Sequence, residues 1–222
     1  MMWKELKQIW FGDDLLSEAW EMTYEAMTID SEMFDDAVET LWGNNIKATQ
    51  KLIFKKDKLI NKYERDIKRK IITHLSVQQG EGLAAGMVLS TVIVDVERIG
   101  DYIKNIVDLT EMHPSELKDE SLKQALNEIE RSIKNSFTKA RTCVENGDEE
   151  EALDLYHTTK ELGRTCDEYI KEIITSGKTY KSNATVYAMY FRYLKRINAH
   201  LRNIVSSVIN PYDRIGYKPK NT

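Results

Sequence analysis

The stretch DVERIGDYIKNIVDLT, residues 95–110, mixes charged and aliphatic side chains at helical spacing. Its aliphatic residues recur every three or four positions, as one face of a helix requires. Glu97 and Asp101 lie four residues apart, so they project as neighbours from one side of that helix, and Asn105 continues the row. Two neighbouring carboxylates repel each other unless a positive group lies beside them. The spacing leaves two candidates open for that group, a basic side chain such as Arg98 or a metal ion.

The composition of the 222 residues predicts an all-α protein with a proper core. Hydrophobic residues make up 41% of the chain, charged residues make up 31%, and there are only three prolines, which together favour helices. The formal net charge of −4 predicts no general affinity for nucleic acid. No run approaches the roughly 20 apolar residues that span a bilayer, and no leader is evident, so we expect a cytoplasmic protein. We expect Cys143 and Cys166 to be reduced packing residues.

Outward from residues 95–110, the same helical periodicity recurs in five further segments. Predicted helices cover residues 15–42, 46–74, 83–109, 121–146, 149–175 and 183–209. Pro114 is the strongest break, because proline cannot continue a helix. Gly147 and Asp148, a stop and an N-cap, separate the fourth helix from the fifth. The second helix has an outer face dense in basic residues, which we interpret as a solvated surface.

The two halves of the chain repeat each other. Residues 98–107 align with residues 196–205 at an offset of 196 − 98 = 98, and arginine, asparagine and the aliphatic pattern recur in register. Residues 63–68 align with residues 166–171 at an offset of 166 − 63 = 103. The repeat predicts six long helices in two pseudo-repeated three-helix bundles. The predicted divisions are a short amphipathic segment at 1–13, bundles at 14–112 and 116–209, and a tail at 210–222.

Residues 95–101, with Asn105 and Ile106 after them, resemble the signature of the PhoU family of phosphate-transport regulators. The closing stretch RYLKRINAHLRNIV, residues 192–205, fits the same family. The resemblance implies two three-helix bundles with an E/DxxxD motif in each. It also implies a dimer-forming cytoplasmic regulator that represses the phosphate-starvation response together with a phosphate ABC transporter's ATPase and a sensor histidine kinase. Several members carry multinuclear iron or another metal on the E/DxxxD faces.

Carried over by this resemblance, a metal site falls in the first bundle. Its ligands would be Glu97 and Asp101 on the third helix with Asp57, Asn61 and Glu64 on the second. Asn61 stands where the family often has an acid, and its amide oxygen can still ligate. Oxygen ligands suit iron, manganese or magnesium, so the expected cofactor is one of these ions or a cluster. A further ExxxD pair on the first helix, Glu32 and Asp36, extends the site if it faces it.

The second bundle departs from the motif. Lys195 and Ala199 replace the two acids of the motif. In the repeat, Lys160 and Arg164 align with Asp57 and Asn61. The departure predicts that the second metal site is lost and that a basic face replaces it, suited to an anion such as phosphate or to an acidic patch of a partner. That face would comprise Lys160, Arg164, Lys195, Arg196 and Arg202. The alternative is a solvated face balanced by Glu161 and Asp167.

The expected function is regulation of phosphate uptake and phosphate-starvation signalling, by docking of a non-enzymatic homodimer. Expected partners are a phosphate ABC transporter ATPase or another phosphate carrier, and a sensor histidine kinase, with membrane contact only through them. Two alternatives stay open: a metal-dependent helical enzyme that uses the same carboxylates, and a metal-free helical adaptor for another transporter. An enzyme needs an open coordination position and a placed base, and no histidine lies near the motif.

Overall fold

The computed structural model describes residues 15–42, 46–113, 120–175 and 183–219. Over these residues the chain forms six long α-helices and a short 3-10 turn, so the all-α prediction is confirmed. The helices are α1 (Leu15–Trp42), α2 (Ile46–Val77), α3 (Leu83–Met112), α4 (Glu120–Asn146), α5 (Glu149–Thr175) and α6 (Ala184–Ile209), followed by the turn Tyr212–Arg214. Predicted and observed ends agree to within three residues, the largest differences being α2 (77 − 74 = 3) and α3 (112 − 109 = 3). The predicted segment 1–13 and the break at Pro114 lie outside the described residues.

The turn between α4 and α5 follows the sequence signals. Gly147 has a φ of +66°, a left-handed conformation that glycine adopts at little cost. The backbone N–H of Glu151 donates a hydrogen bond of 3.0 Å to Asp148 Oδ1. Asp148 is therefore the N-cap of α5, as predicted.

The helices pack as two groups of three that share one core. α1, α2 and α3 pack against one another, and so do α4, α5 and α6. The groups meet chiefly where α3 packs on α6 and α1 packs on α4. Buried hydrophobic residues from both groups form one continuous cluster. This arrangement leaves α2 and α5 as the peripheral helix of each group.

The repeat extends to the first helix of each group. Phe34 on α1 and Phe137 on α4 are both buried, lie 137 − 34 = 103 residues apart, and contact each other with ring centroids at 5.5 Å. The offset of 103 found for α2 and α5 therefore also relates α1 to α4. At that offset Asp30 corresponds to Ile133, and both side chains are fully buried.

Both cysteines lie in the core, as predicted. Cys143 and Cys166 are free thiols with no solvent exposure. Burial raises the pKa of each thiol to about 12, which keeps it in the unreactive protonated form.

The described part of the tail folds back on the second group. Asn210 Nδ2 donates to the carbonyl oxygens of Arg214 and Tyr217, at 3.0 and 2.8 Å. The N–H of Gly216 donates to Ser206 Oγ at 2.7 Å. These bonds tie the tail to the end of α6. None of the described helices combines the length and the apolar character needed to cross a membrane.

Candidate functional site

Carboxylates from all three helices of the first group converge on Gly100 of α3. A Cβ atom placed on Gly100 would lie 3.3 Å from Asp30 Oδ1 on α1 and 3.5 Å from Asp57 Oδ1 on α2. Glu97 and Asp101 flank the glycine on α3 itself. The small residue in the motif is thus what lets α1 and α2 bring acids up to the α3 backbone. We call Asp30, Asp57, Glu97 and Asp101 the carboxylate cluster.

The predicted ligand Asp57 is bound by groups of the chain itself. Its side chain is 8% exposed, and Lys104 Nζ lies 2.9 Å from its Oδ1. The same ammonium lies 2.9 Å from Asp101 Oδ1, so Lys104 bridges α2 and α3. Asn61, predicted as a ligand through its oxygen, donates from Nδ2 to Asp57 Oδ2 at 3.1 Å.

The other predicted ligands are paired as well. Arg98 Nη1 lies 3.1 Å from Asp101 Oδ2, and Arg98 Nε lies 3.7 Å from Glu97 Oε2. Lys68 Nζ lies 2.7 Å from Glu64 Oε1, one turn along α2. The sequence left open whether a basic side chain or a metal balances the acids, and in this arrangement Lys104, Arg98 and Lys68 do so.

Asp30 is the member of the cluster that the sequence analysis missed. It is completely buried, and neither carboxylate oxygen has a hydrogen-bond partner. It lies on the apolar stripe of α1, three residues after Met27 and four before Phe34. An acid on the inner stripe of an amphipathic helix was the available signal, because buried acids are rare unless they serve a site or a pair.

The environment shifts the pKa of several of these groups. Burial, then the charges of Asp57 and Glu97, raise the pKa of Asp30 well above its usual value. Burial and then Asp101 raise the pKa of Glu97, with Arg98 and Lys104 opposing and Glu64 adding to the rise. Burial lowers the pKa of Lys104, but hydrogen bonds to Asp57 and Asp101 outweigh it and the net pKa is raised. Lys104 is therefore a cation at neutral pH, and Asp30 resists ionisation.

A metal ion does not fit these donors as they are placed. Among the described residues, no group of three or more histidine, cysteine, aspartate or glutamate side chains is arranged to hold one. The unpartnered carboxyl of Asp30 would suit a cation, but the Lys104 ammonium already lies between Asp57 and Asp101. The metal inferred from the family resemblance stays a prediction, and no chemical step is derived from it.

The additional acidic pair on α1 does not extend the cluster. Glu32 and Asp36 both contact Lys56 of α2, with Nζ to oxygen distances of 3.0 and 3.1 Å. Lys56 precedes Asp57 in the chain, so the two residues project from α2 in different directions. Glu32 and Asp36 therefore form a separate ion pair between α1 and α2.

Four of the five residues of the basic face predicted for the second group contact other side chains of the chain. Lys195 Nζ lies 2.6 Å from Asp167 Oδ1, and Arg164 Nη1 lies 2.7 Å from Glu161 Oε1. These are the two acids that the alternative reading named as balancing charges. Lys160 is partly buried on α5.

The two remaining arginines of that face lie over aromatic rings. Arg196 Nε donates to the hydroxyl of Tyr102 on α3 at 3.0 Å, and its guanidinium lies 5.3 Å from that ring centroid. Arg202 lies over Tyr156, 5.9 Å from the ring centroid. Arg196 thus joins the two groups, because α6 packs on α3.

A buried polar network, which no sequence pattern indicated, also holds α3 to α6. Asp95 Oδ1 lies 2.7 Å from His200 Nδ1 and accepts a hydrogen bond of 3.1 Å from Asn203 Nδ2. The His200 ring stacks on Tyr102 with centroids 5.7 Å apart. The motif helix therefore uses its charged residues twice, on one side for the carboxylate cluster and on the other for the contact between groups.

An open pocket of about 460 Å³ lies beside the carboxylate cluster. Asp101 and Lys104 line it together with Asn105 and Asp108, which continue the motif face, and Phe54 of α2 closes one side. Burial raises the pKa of Asp108, and the neighbouring Glu111 adds to the rise while Lys104 opposes it. The motif is thus accessible from the surface.

Comparison with known proteins gives consistent results. A family model described as the PhoU domain matches residues 24–110. The chain is 23% identical over 184 residues to an uncharacterized protein of Methanocaldococcus jannaschii, an alignment that covers 83% of this chain and 62% of that protein. The chain therefore spans less than two thirds of that relative's length.

Two solved structures share the fold over most of the chain. PhoU from Pseudomonas aeruginosa superposes with a TM-score of 0.78 at 21% identity, covering 88% of this chain and 95% of that one. The phosphate transport system regulatory protein PhoU from Streptococcus pneumoniae superposes with a TM-score of 0.75 at 19% identity, covering 87% and 93%. The likeness thus includes the second group of helices as well as the first.

Proposed function

Since this chain is a PhoU-domain protein, we propose that it regulates phosphate uptake and phosphate-starvation signalling by docking to other proteins. The observation that carries the proposal is the superposition of nearly the whole chain on two PhoU structures, one of them described as a phosphate transport system regulatory protein. The family model over residues 24–110 supports the same assignment. The proposed partners are the ATPase of a phosphate ABC transporter or another phosphate carrier, and a sensor histidine kinase.

The proposal places this regulator in the cytoplasm, with its membrane contact supplied by those partners. The described helices offer no membrane-spanning candidate, which is consistent with that placement. We also propose that the protein works without catalytic turnover. Asp57 and Asp101 are paired with Lys104 and Arg98, whereas a metal-dependent enzyme needs an open coordination position.

The regulator could work with or without a bound metal ion. The pairing of Asp57 and Asp101 with Lys104 favours the form without a metal. In this form Lys104 supplies the positive charge that a metal would otherwise bring. The bridged α2 and α3 then present a rigid face around the pocket at Asp101 and Asn105. We propose this face as a surface by which the first group of helices engages a partner.

Deletion of the gene in its host tests the regulatory role. The deletion strain is expected to express phosphate-starvation genes and take up phosphate in phosphate-replete medium, and a wild-type copy is expected to restore repression. Affinity capture from the complemented strain should recover a phosphate carrier or its ATPase. Unchanged expression and uptake in the deletion strain would reject the proposal. Substrate turnover that requires added metal would support the enzyme alternative instead.

A further inference from the structure

The outer side of α2 carries an uninterrupted row of cations. Seven basic residues recur at spacings of four or three, which places them within one narrow strip of the helix surface. All seven are exposed. They are Lys47, Lys51, Lys55, Lys58, Lys62, Arg65 and Arg69, which we call the basic ridge. Over 22 residues the ridge is about 33 Å long at the helical rise of about 1.5 Å per residue.

The ridge differs from the other lysines of the same helix in having almost no ion pairs. Lys56, Lys68 and Lys70 each contact a carboxylate. Within the described parts of the chain, the only ridge residue in an ion pair is Arg69, which contacts Asp66. Like charges at these spacings repel and destabilise a helix. The net charge of the protein is −4, so acidic surfaces are available elsewhere on it. Contact with a surface of opposite charge would relieve the repulsion along the row.

The matching surface lies on α5, the pseudo-equivalent helix of the second group. At the offset of 103, five of the seven ridge positions carry an acid in place of a base, and the other two carry threonine. The five acids are exposed, and only Glu161 among them forms an ion pair with a described residue, Arg164. We call these acids the acidic ridge: Glu150, Asp154, Glu161, Glu168 and Glu172. In the repeat they align with Lys47, Lys51, Lys58, Arg65 and Arg69, in that order.

We propose that the basic ridge of one copy of this chain docks on the acidic ridge of a second copy. The two ridges have the same length and opposite charge, the five acids lie at positions equivalent to five of the seven bases, and both ridges lie on the peripheral helix of their group. Leu52 and Leu59, which flank the basic ridge seven residues apart, are 45% and 38% exposed and add apolar contact. The family resemblance implies a dimer without assigning its surface, and this proposal is independent of phosphate regulation.

The geometry of the contact sets its behaviour. The contact joins α2 of one copy to α5 of another. If a two-fold axis lets two copies make both such contacts at once, they form a closed dimer; if not, each free ridge can bind a further copy. Exposed ion pairs are individually weak and are screened by salt. Association is therefore expected at low ionic strength and is expected to be lost in concentrated salt.

Charge exchange between the ridges tests the proposal. One variant, Lys51→Glu, Lys58→Glu, Arg65→Glu, makes both ridges acidic. A second variant, Asp154→Lys, Glu161→Lys, Glu168→Lys, makes both ridges basic. A control, Arg131→Glu, Arg141→Glu, Arg192→Glu, changes the charge by the same amount as the first variant at exposed positions away from the ridges. Circular dichroism verifies that each variant is helical.

Sedimentation velocity then gives the mass of each sample at about 50 mM salt and at about 1 M salt. We expect the wild type and the control to exceed the monomer mass of 25.8 kDa at low salt and to approach it at high salt. Each ridge variant alone should be monomeric at both, and an equimolar mixture of the two should associate at low salt. A monomeric wild type at low salt, ridge variants that associate as the wild type does, or a mixture that stays monomeric would each overturn the proposal.

Discussion

Both groups of helices place a glycine where their second and third helices approach closely, but on opposite helices. In the first group Gly100 on α3 lies against Ile60 on α2, where a Cβ on the glycine would come within 3.7 Å of Ile60 Cδ1. The equivalent residues of the second group are Asn198 (198 − 98 = 100) and Gly163 (163 − 103 = 60). Here the small residue is on α5, and a Cβ on it would lie 3.8 Å from Asn198 Nδ2. The close approach of the helices is kept while the glycine changes sides.

The exchange has a consequence for charge. In the first group the space over Gly100 admits Asp30 and Asp57. In the second group the positions equivalent to Asp30 and Asp101 hold Ile133 and Ala199. The side-chain amide of Asn198 donates a hydrogen bond to the carbonyl oxygen of Thr159. The second group therefore has no acid at any position equivalent to a member of the carboxylate cluster. A fold can preserve its packing through a duplication while only one copy retains a charged site.

The largest expected effect comes from removing the cation of the cluster. Lys104→Ala leaves the carboxylate of Asp57, 8% exposed, without its cation and is expected to lower the free energy of unfolding by about 2–4 kcal/mol. Lys195→Ala, which breaks the pair with the half-exposed Asp167, should cost less than about 1 kcal/mol. Urea denaturation of both variants measures the difference. Equal losses would mean that the cluster is no more dependent on its cation than the surface of the second group.

The next expected effect depends on pH. Burial raises the pKa of Asp30 well above the ordinary aspartate value of 3.8, so the folded state holds a proton that the unfolded state releases. Its contribution is most favourable below pH 3.8 and is lost as the pH rises toward the folded pKa. Asp30→Asn removes this titration. The variant should therefore gain stability relative to the wild type as the pH rises above about 4.

Chemical denaturation across the range from about pH 4 to about pH 8 measures this difference. Asp213→Asn, at an exposed position of the turn after α6 and outside both ridges, is the matched control for replacing an aspartate by asparagine. A constant difference between Asp30→Asn and the wild type would contradict the raised pKa.

The smallest expected effect separates the two glycines. Gly163→Ala places its Cβ at ordinary contact distance and replaces a poor helix former, so it should stabilise by about 0.5–1 kcal/mol. Gly100→Ala gains the same propensity but brings its Cβ 3.3 Å from an oxygen of the fully buried Asp30, which has little room to move. Thermal unfolding of the two variants should place Gly163→Ala above the wild type and Gly100→Ala below it. The opposite order would mean that the carboxylates are free to shift.

Sequence patterns predicted the fold well because apolar periodicity and helix-stop residues are local signals. The six helices, the cap at Asp148 and the buried cysteines all follow from them. The members of the cluster were only partly predictable. Glu97 and Asp101 stood out by their spacing, whereas Asp30 was concealed within an apolar stripe.

Contacts between helices are the part that sequence spacing does not give. Lys104 lies three residues after Asp101, a spacing found on any charged helix, and only the packing of α2 on α3 brings it to Asp57. Arg196 was grouped with the basic face, but the packing of α6 on α3 places it on Tyr102. The spacing of the basic residues on α2 predicts only a solvated surface, and their relation to the acids of α5 follows from the repeat together with the exposure of both helices.

The metal content of the purified protein decides whether the chain's own cation balances the carboxylate cluster. The samples are protein purified without an affinity tag, as the wild type and as the Glu97→Ala, Asp101→Ala double variant, both measured by elemental analysis. We predict no stoichiometric iron, manganese or magnesium in either sample. Metal bound stoichiometrically to the wild type and lost from the double variant would contradict the claim and restore the metal site predicted from the motif.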